Sequence, residues 1–69
     1  MKNVNNRNEL VQILSNLDIE LYIDIKIQNS TIDLFYDTEI DKFVMFDKCD
    51  LYFDTLDDME SYIVEEYQL

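Results

Sequence analysis

The side chains capable of chemistry in this sequence are almost all carboxylates. Asp47, Asp50, Asp54, Asp57 and Asp58 crowd one stretch, with Lys48 and Cys49 among them. Closely spaced acids can hold Ca²⁺. An EF-hand loop needs glycine at its sixth position and a bidentate acid at its twelfth, and no window fits that pattern. Paired carboxylates can also cleave glycosides, given a pocket between them, and a chain of 69 residues hardly builds one around a core. There is no histidine, which removes nucleophilic catalysis of the Ser-His or Cys-His kind. One cysteine without histidine leaves no ligand set for a closed zinc site. No metal, no cofactor and no enzymatic activity are therefore expected. Cys49 reads as a small turn or strand residue rather than a reactive thiolate.

The elements that position these acids follow from periodicity. Leu10, Ile13, Leu14 and Leu17 lie on one helical stripe. Asn6 and Glu9 have capping-box spacing, so a helix is predicted over 6–17. The period then drops to two. Ile19, Leu21, Ile23, Ile25 and Ile27 alternate with polar residues and Tyr22, which predicts a strand over 19–28 with that aliphatic row buried. Ile32, Leu34 and Tyr36 alternate in a second strand, 31–37. A third strand is predicted over 42–53, with Asp47-Lys48-Cys49-Asp50 either bulging it or breaking off a short fourth. Leu56, Met59, Ile63 and Tyr67 share an arc of roughly 80° at about 100° per residue. With Thr55 and Asp58 at capping-box spacing, they give a helix over 55–67. The chain has neither glycine nor proline, so its turns rest on Asn, Asp and Ser.

The layout is α-β-β-β-α, a single α+β domain over residues 1–69: an antiparallel three-stranded meander with both helices packed on one face. No disulfide can staple it, and a domain this small buries only about 60% of its unfolded surface. The other sheet face would carry Tyr22, Phe35 and one alternation of the Phe43–Phe46 run, with nothing left to cover it. A face of that kind often marks an interface, so Tyr22 and Phe35 are expected in a homodimer or a second contact surface.

Charge is the strongest functional signal. The chain carries sixteen acids against five bases, a formal net charge of −11. Residues 1–32 hold four acids and three bases, net −1. Residues 33–69 hold twelve acids and two bases, net −10. Acids in turns and on the outside of a helix usually serve solubility. As a set they repel one another, which costs a marginal domain stability and which a basic partner would offset. The partner-binding residues expected are Asp37, Glu39, Asp41, Asp47, Asp50, Asp54, Asp57, Asp58, Glu65 and Glu66, with Tyr52 as an anchor. Direct binding to nucleic acid or to an anionic membrane is opposed by the same charge. The longest apolar run is four residues, and the segment Met1–Asn6 lacks the apolar core of a signal peptide, so a cytoplasmic location is expected.

In layout and charge the chain resembles the small acidic inhibitors of bacteriophages and other mobile elements. These include anti-CRISPR proteins that block an RNA-guided DNA nuclease by imitating DNA, some with a similar helix, three-strand meander, helix order. Anti-restriction proteins and uracil-DNA glycosylase inhibitors share the acidic character. The resemblance implies an inhibitor that occupies the basic groove of a nucleic-acid-handling protein. Two other readings stand beside it. One is a small homodimeric interaction module using its open sheet face, and the other an antitoxin-like regulator.

Overall fold

The computed structural model describes all residues, 1–69. The element order is β1 (Lys2–Val4), α1 (Arg7–Leu14), α2 (Leu17–Glu20), β2 (Tyr22–Ile27), β3 (Ser30–Asp37), β4 (Lys42–Phe46), β5 (Asp50–Phe53) and α3 (Leu56–Tyr67). The strands form one sheet in chain order, β1-β2-β3-β4-β5. From β2 to β5 it is an antiparallel meander. β1 runs parallel to β2, so residues 5–21 form the crossover that a parallel pair requires. The protein is thus a mixed α/β domain with five strands, where the sequence pattern predicts three.

The two added strands have simple origins. β1 is three residues long and buries only Val4, too little for a period to show. The predicted third strand is broken at residues 47–49, and β5 folds back on β4 with Phe43 opposite Phe53 and Phe46 opposite Asp50.

The predicted first strand starts three residues late. Leu17 is fully buried and draws residues Leu17–Glu20 into one further helical turn, with the Ile19 and Glu20 amides donating to the Asn16 carbonyl. Ile19 is therefore 80% exposed and Leu21 43% exposed, contrary to the expected burial of the whole row. The alternation that does bury is Ile23, Ile25 and Ile27.

Those three isoleucines face the helices together with Ile32 and Leu34 of β3 and Met45 of β4. Leu10, Leu14, Leu17, Met59, Ile63 and Val4 complete a single core cluster. Both long helices start on the expected caps. Asn6 Oδ1 accepts the Glu9 amide at 2.9 Å, and Glu9 Oε1 in turn accepts the Asn5 amide. Thr55 Oγ1 accepts the Asp58 amide. Caps of this kind contribute about 1 kcal/mol each. α3 ends on Gln68 in the left-handed region, where the Leu69 amide reaches back to the Val64 carbonyl, a Schellman-type closure that turns Leu69 onto the core. Phe53 and Tyr62, with ring centroids 5.6 Å apart, fasten α3 to β5.

Without glycine, the reversals fall on other residues. Leu21, Gln28, Asp41 and Gln68 all have positive φ. Asp tolerates that region, but a leucine there costs roughly 1–2 kcal/mol. Leu21→Gly should stabilise the protein by about 1 kcal/mol. The measurement is a rise in denaturant midpoint at unchanged m-value. An unchanged midpoint would mean that the Leu21 side chain contributes packing equal to the strain.

Candidate functional site

A sheet strand sends alternate side chains to opposite faces. With the aliphatic rows turned to the helices, the other face receives Tyr22, Asp24 and Lys26 from β2. It receives Thr31, Asp33, Phe35 and Asp37 from β3, Lys42, Val44 and Phe46 from β4, and Asp50 and Tyr52 from β5. No layer covers this face. Its registers align two rows. Tyr22 lies opposite Phe35, Phe35 opposite Val44, and Val44 opposite Tyr52, so one apolar row crosses four strands. The next row is Asp24, Asp33, Phe46 and Asp50. Val44 is only 1% exposed yet stands outside the core cluster. The aromatic side chains flanking it do the shielding, while Tyr22 and Tyr52 remain more than half exposed.

Two of the four acids on this face, Asp33 and Asp50, are tied to tyrosines. The Tyr22 hydroxyl donates to Asp33 Oδ1 at 2.9 Å. The Tyr52 hydroxyl lies 3.4 Å from Asp50 Oδ2. The Tyr22 phenol is raised above its usual range first by the Asp33 hydrogen bond. Asp24 and Asp33 are direct cross-strand partners, an arrangement of like charges that destabilises a sheet.

The eleven expected partner-binding residues divide into groups. Asp37, Asp50 and Tyr52 are on the open face. Glu39 and Asp41 are in the exposed β3–β4 turn beside it, where Asp37 accepts the Glu39 amide at 3.0 Å and Asp41 accepts the Tyr36 hydroxyl. Asp54 follows β5 and pairs with Lys42 of the open face. Asp47 accepts a hydrogen bond from the half-buried Tyr67 at 3.0 Å, so it fastens the end of α3. Asp57, Asp58, Glu65 and Glu66 are exposed on α3, in the helix layer on the far side of the sheet. The expected acidic surface is therefore two surfaces. Of the two residues expected at a second interface, Tyr22 is exposed and Phe35 half-buried.

Sequence reasoning missed Asp24 and Asp33, and it left open which alternation of the Phe43–Phe46 run joins Tyr22 and Phe35; the registers show that it is Val44 and Phe46. The face that Asp24 and Asp33 share depends on the β2–β3 register, which is set by a two-residue turn at Gln28-Asn29 with Ile27 opposite Ser30. Gln28 alone of the pair has positive φ, the sign pattern of a type II′ turn, whose usual marker is glycine.

Ion pairs use up most of the bases. Lys2 pairs with Glu20, Arg7 with Glu60 at 2.7 Å, and Lys42 with Asp54. Thirteen of the sixteen acids have no such partner. No group of three acid or cysteine side chains comes together as a metal-holding cluster. A groove of about 170 Å³ between α1 and α3 is lined by Val11, Leu14, Ser15, Leu56, Asp57 and Glu60. That is below the roughly 300 Å³ where small-molecule pockets begin. No helix is long and apolar enough to cross a membrane. Comparison with protein-family models, with curated proteins and with solved structures finds no match.

Burial, and then the Asp47 bond, push the Tyr67 phenol up to about 12. Tyr22, Tyr36 and Tyr62 are raised in the same direction. The folded protein thus holds these protons more tightly than the unfolded chain does. The stability this linkage carries is complete below pH 10 and is lost as pH climbs toward 12. Denaturant melts across pH 9–12 should show that loss, and Tyr67→Phe should flatten it. An identical pH slope in the variant would mean that Tyr67 does not carry it.

Proposed function

We propose that this protein inhibits a nucleic-acid-handling protein by laying a DNA-like acidic surface in its basic groove, with the open sheet face as the contact. The observation that carries the reading is the pairing of two rows on one uncovered face, the apolar Tyr22–Phe35–Val44–Tyr52 and the acidic Asp24–Asp33–Asp50. An apolar centre beside desolvatable acids is the makeup of a docking surface for a basic partner. The turn acids Glu39 and Asp41 extend it. Asp57, Asp58, Glu65 and Glu66 add to the long-range field that steers association. The Asp24–Asp33 opposition supports the same reading, since a cation seated over it would relieve the repulsion. A CRISPR nuclease, as the resemblance implies, belongs to this partner class. The host cytoplasm is then the compartment of action.

The homodimer reading makes the opposite electrostatic prediction. Two copies meeting face to face would set the acids of one against those of the other. Salt should weaken binding to a basic partner, mainly through slower association, and should strengthen self-association through this face. Sedimentation and partner binding across a salt series separate the two.

DNA-cleavage assays with RNA-guided nucleases, restriction enzymes and repair glycosylases test inhibition directly. The protein and duplex DNA should exclude each other from the inhibited enzyme. Asp24→Lys with Asp50→Lys should abolish inhibition. Glu65→Lys with Glu66→Lys should leave it nearly intact, and lysines at a helix C-terminus complement its dipole. Asp24→Lys alone should also stabilise the fold by about 0.5 kcal/mol, by turning a like-charge pair into an attractive one. Simultaneous binding of DNA and protein, or inhibition that survives the face variant, would overturn the reading.

A further inference from the structure

The open face has a finer pattern than negative charge. Its two exposed tyrosines stand at opposite ends of the apolar row, Tyr22 on β2 and Tyr52 on β5. Three strand spacings separate them, about 14 Å. Each has a carboxylate beside its hydroxyl, Asp33 for Tyr22 and Asp50 for Tyr52. Neither carboxylate is in an ion pair. Each position therefore combines an accessible ring face with an adjoining acceptor that retains free lone pairs. A compact ammonium is strongly hydrated, meets the carboxylate as a point charge and gains less from the ring. A planar guanidinium uses both, because it stacks on the ring, forks onto the carboxylate and gives up its hydration more readily.

We propose that the open face reads arginine in particular, taking two guanidinium groups on the Tyr22–Asp33 and Tyr52–Asp50 pairs, whose tyrosines stand about 14 Å apart and whose carboxylates, two strand spacings apart, about 10 Å. This rests on the basic-partner reading and names the side chain through which such a partner is held. The occupant is an arginine-bearing protein surface. The ring-to-ring spacing corresponds to four residues of an extended segment at about 3.4 Å per residue. The half-exposed Phe46 between the two positions would meet the apolar stems of the arginines.

The test uses two labelled peptides of equal charge, nine arginines and nine lysines, titrated with the full protein at low salt and read by anisotropy. The arginine peptide should bind more tightly, by about threefold per ring engaged. Tyr22→Leu with Tyr52→Leu should cut the preference by that factor, with a smaller loss of lysine-peptide affinity. Tyr22→Phe with Tyr52→Phe keeps both rings, serves as the folding control, and should keep the preference. Equal affinity for the two peptides, or a preference undiminished in the leucine variant, overturns arginine reading and leaves the acidic-surface reading standing. Failure of both peptides to bind overturns both. A dimer that forms as salt rises and protects Tyr22 and Tyr52 assigns the face to a second copy and overturns arginine reading.

Discussion

The burial of Ile23, Ile25, Ile27, Ile32, Leu34 and Met45 is the interaction on which the rest of the structure depends. These side chains form the floor for α1, α2 and α3. All three helices pack on that floor, so one sheet face is covered and the other faces water. The consequences run outward from that division. Leu17 is recruited to the floor, which adds the α2 turn, displaces Ile19 and Leu21 into solvent and delays β2. On the far side, Val44 is kept dry by the aromatic side chains around it rather than by a second layer.

The charge distribution has to be read on this two-layer plan. Acids at the start of α3 complement its dipole, and Asp37, Asp41 and Asp47 each accept a hydrogen bond that shapes a turn or fastens a helix. Those positions have a structural reason. Asp33 accepts the Tyr22 hydroxyl, but no such bond accounts for Asp24 opposite it, and a neutral residue there would serve the sheet better. Local rules broken without an evident structural gain are expected where a protein works. The same face carries the exposed tyrosines, so two departures from a quiet surface meet there, joined by the Tyr22–Asp33 hydrogen bond.

How much of this was legible in the sequence varies with the length of each signal. The caps at Asn6 and Thr55, the helix stripes and the inward row of β2 were readable, because each repeats a local pattern several times. The antiparallel meander followed from the closeness of the strands. β1 was not readable, since a single inward valine carries no period and its parallel pairing is non-local. Ile19 and Leu21 were misread because their spacing continues the period of β2, while the backbone there obeys the burial of Leu17. The acids were recognised as functional candidates, but their division between two faces needed the registers. Asp24 and Asp33 were passed over because nothing in the linear sequence sets one against the other.

Cys49 lies exposed in the turn between β4 and β5, one residue before Asp50. It is the single thiol of the chain, and no core contact or hydrogen bond depends on it. A maleimide fluorophore or a nitroxide would therefore attach at one place, next in sequence to Asp50 of the open face. The protein carries a native spectroscopic vantage point there, from which the approach of any molecule to that face can be watched without altering a residue that forms it.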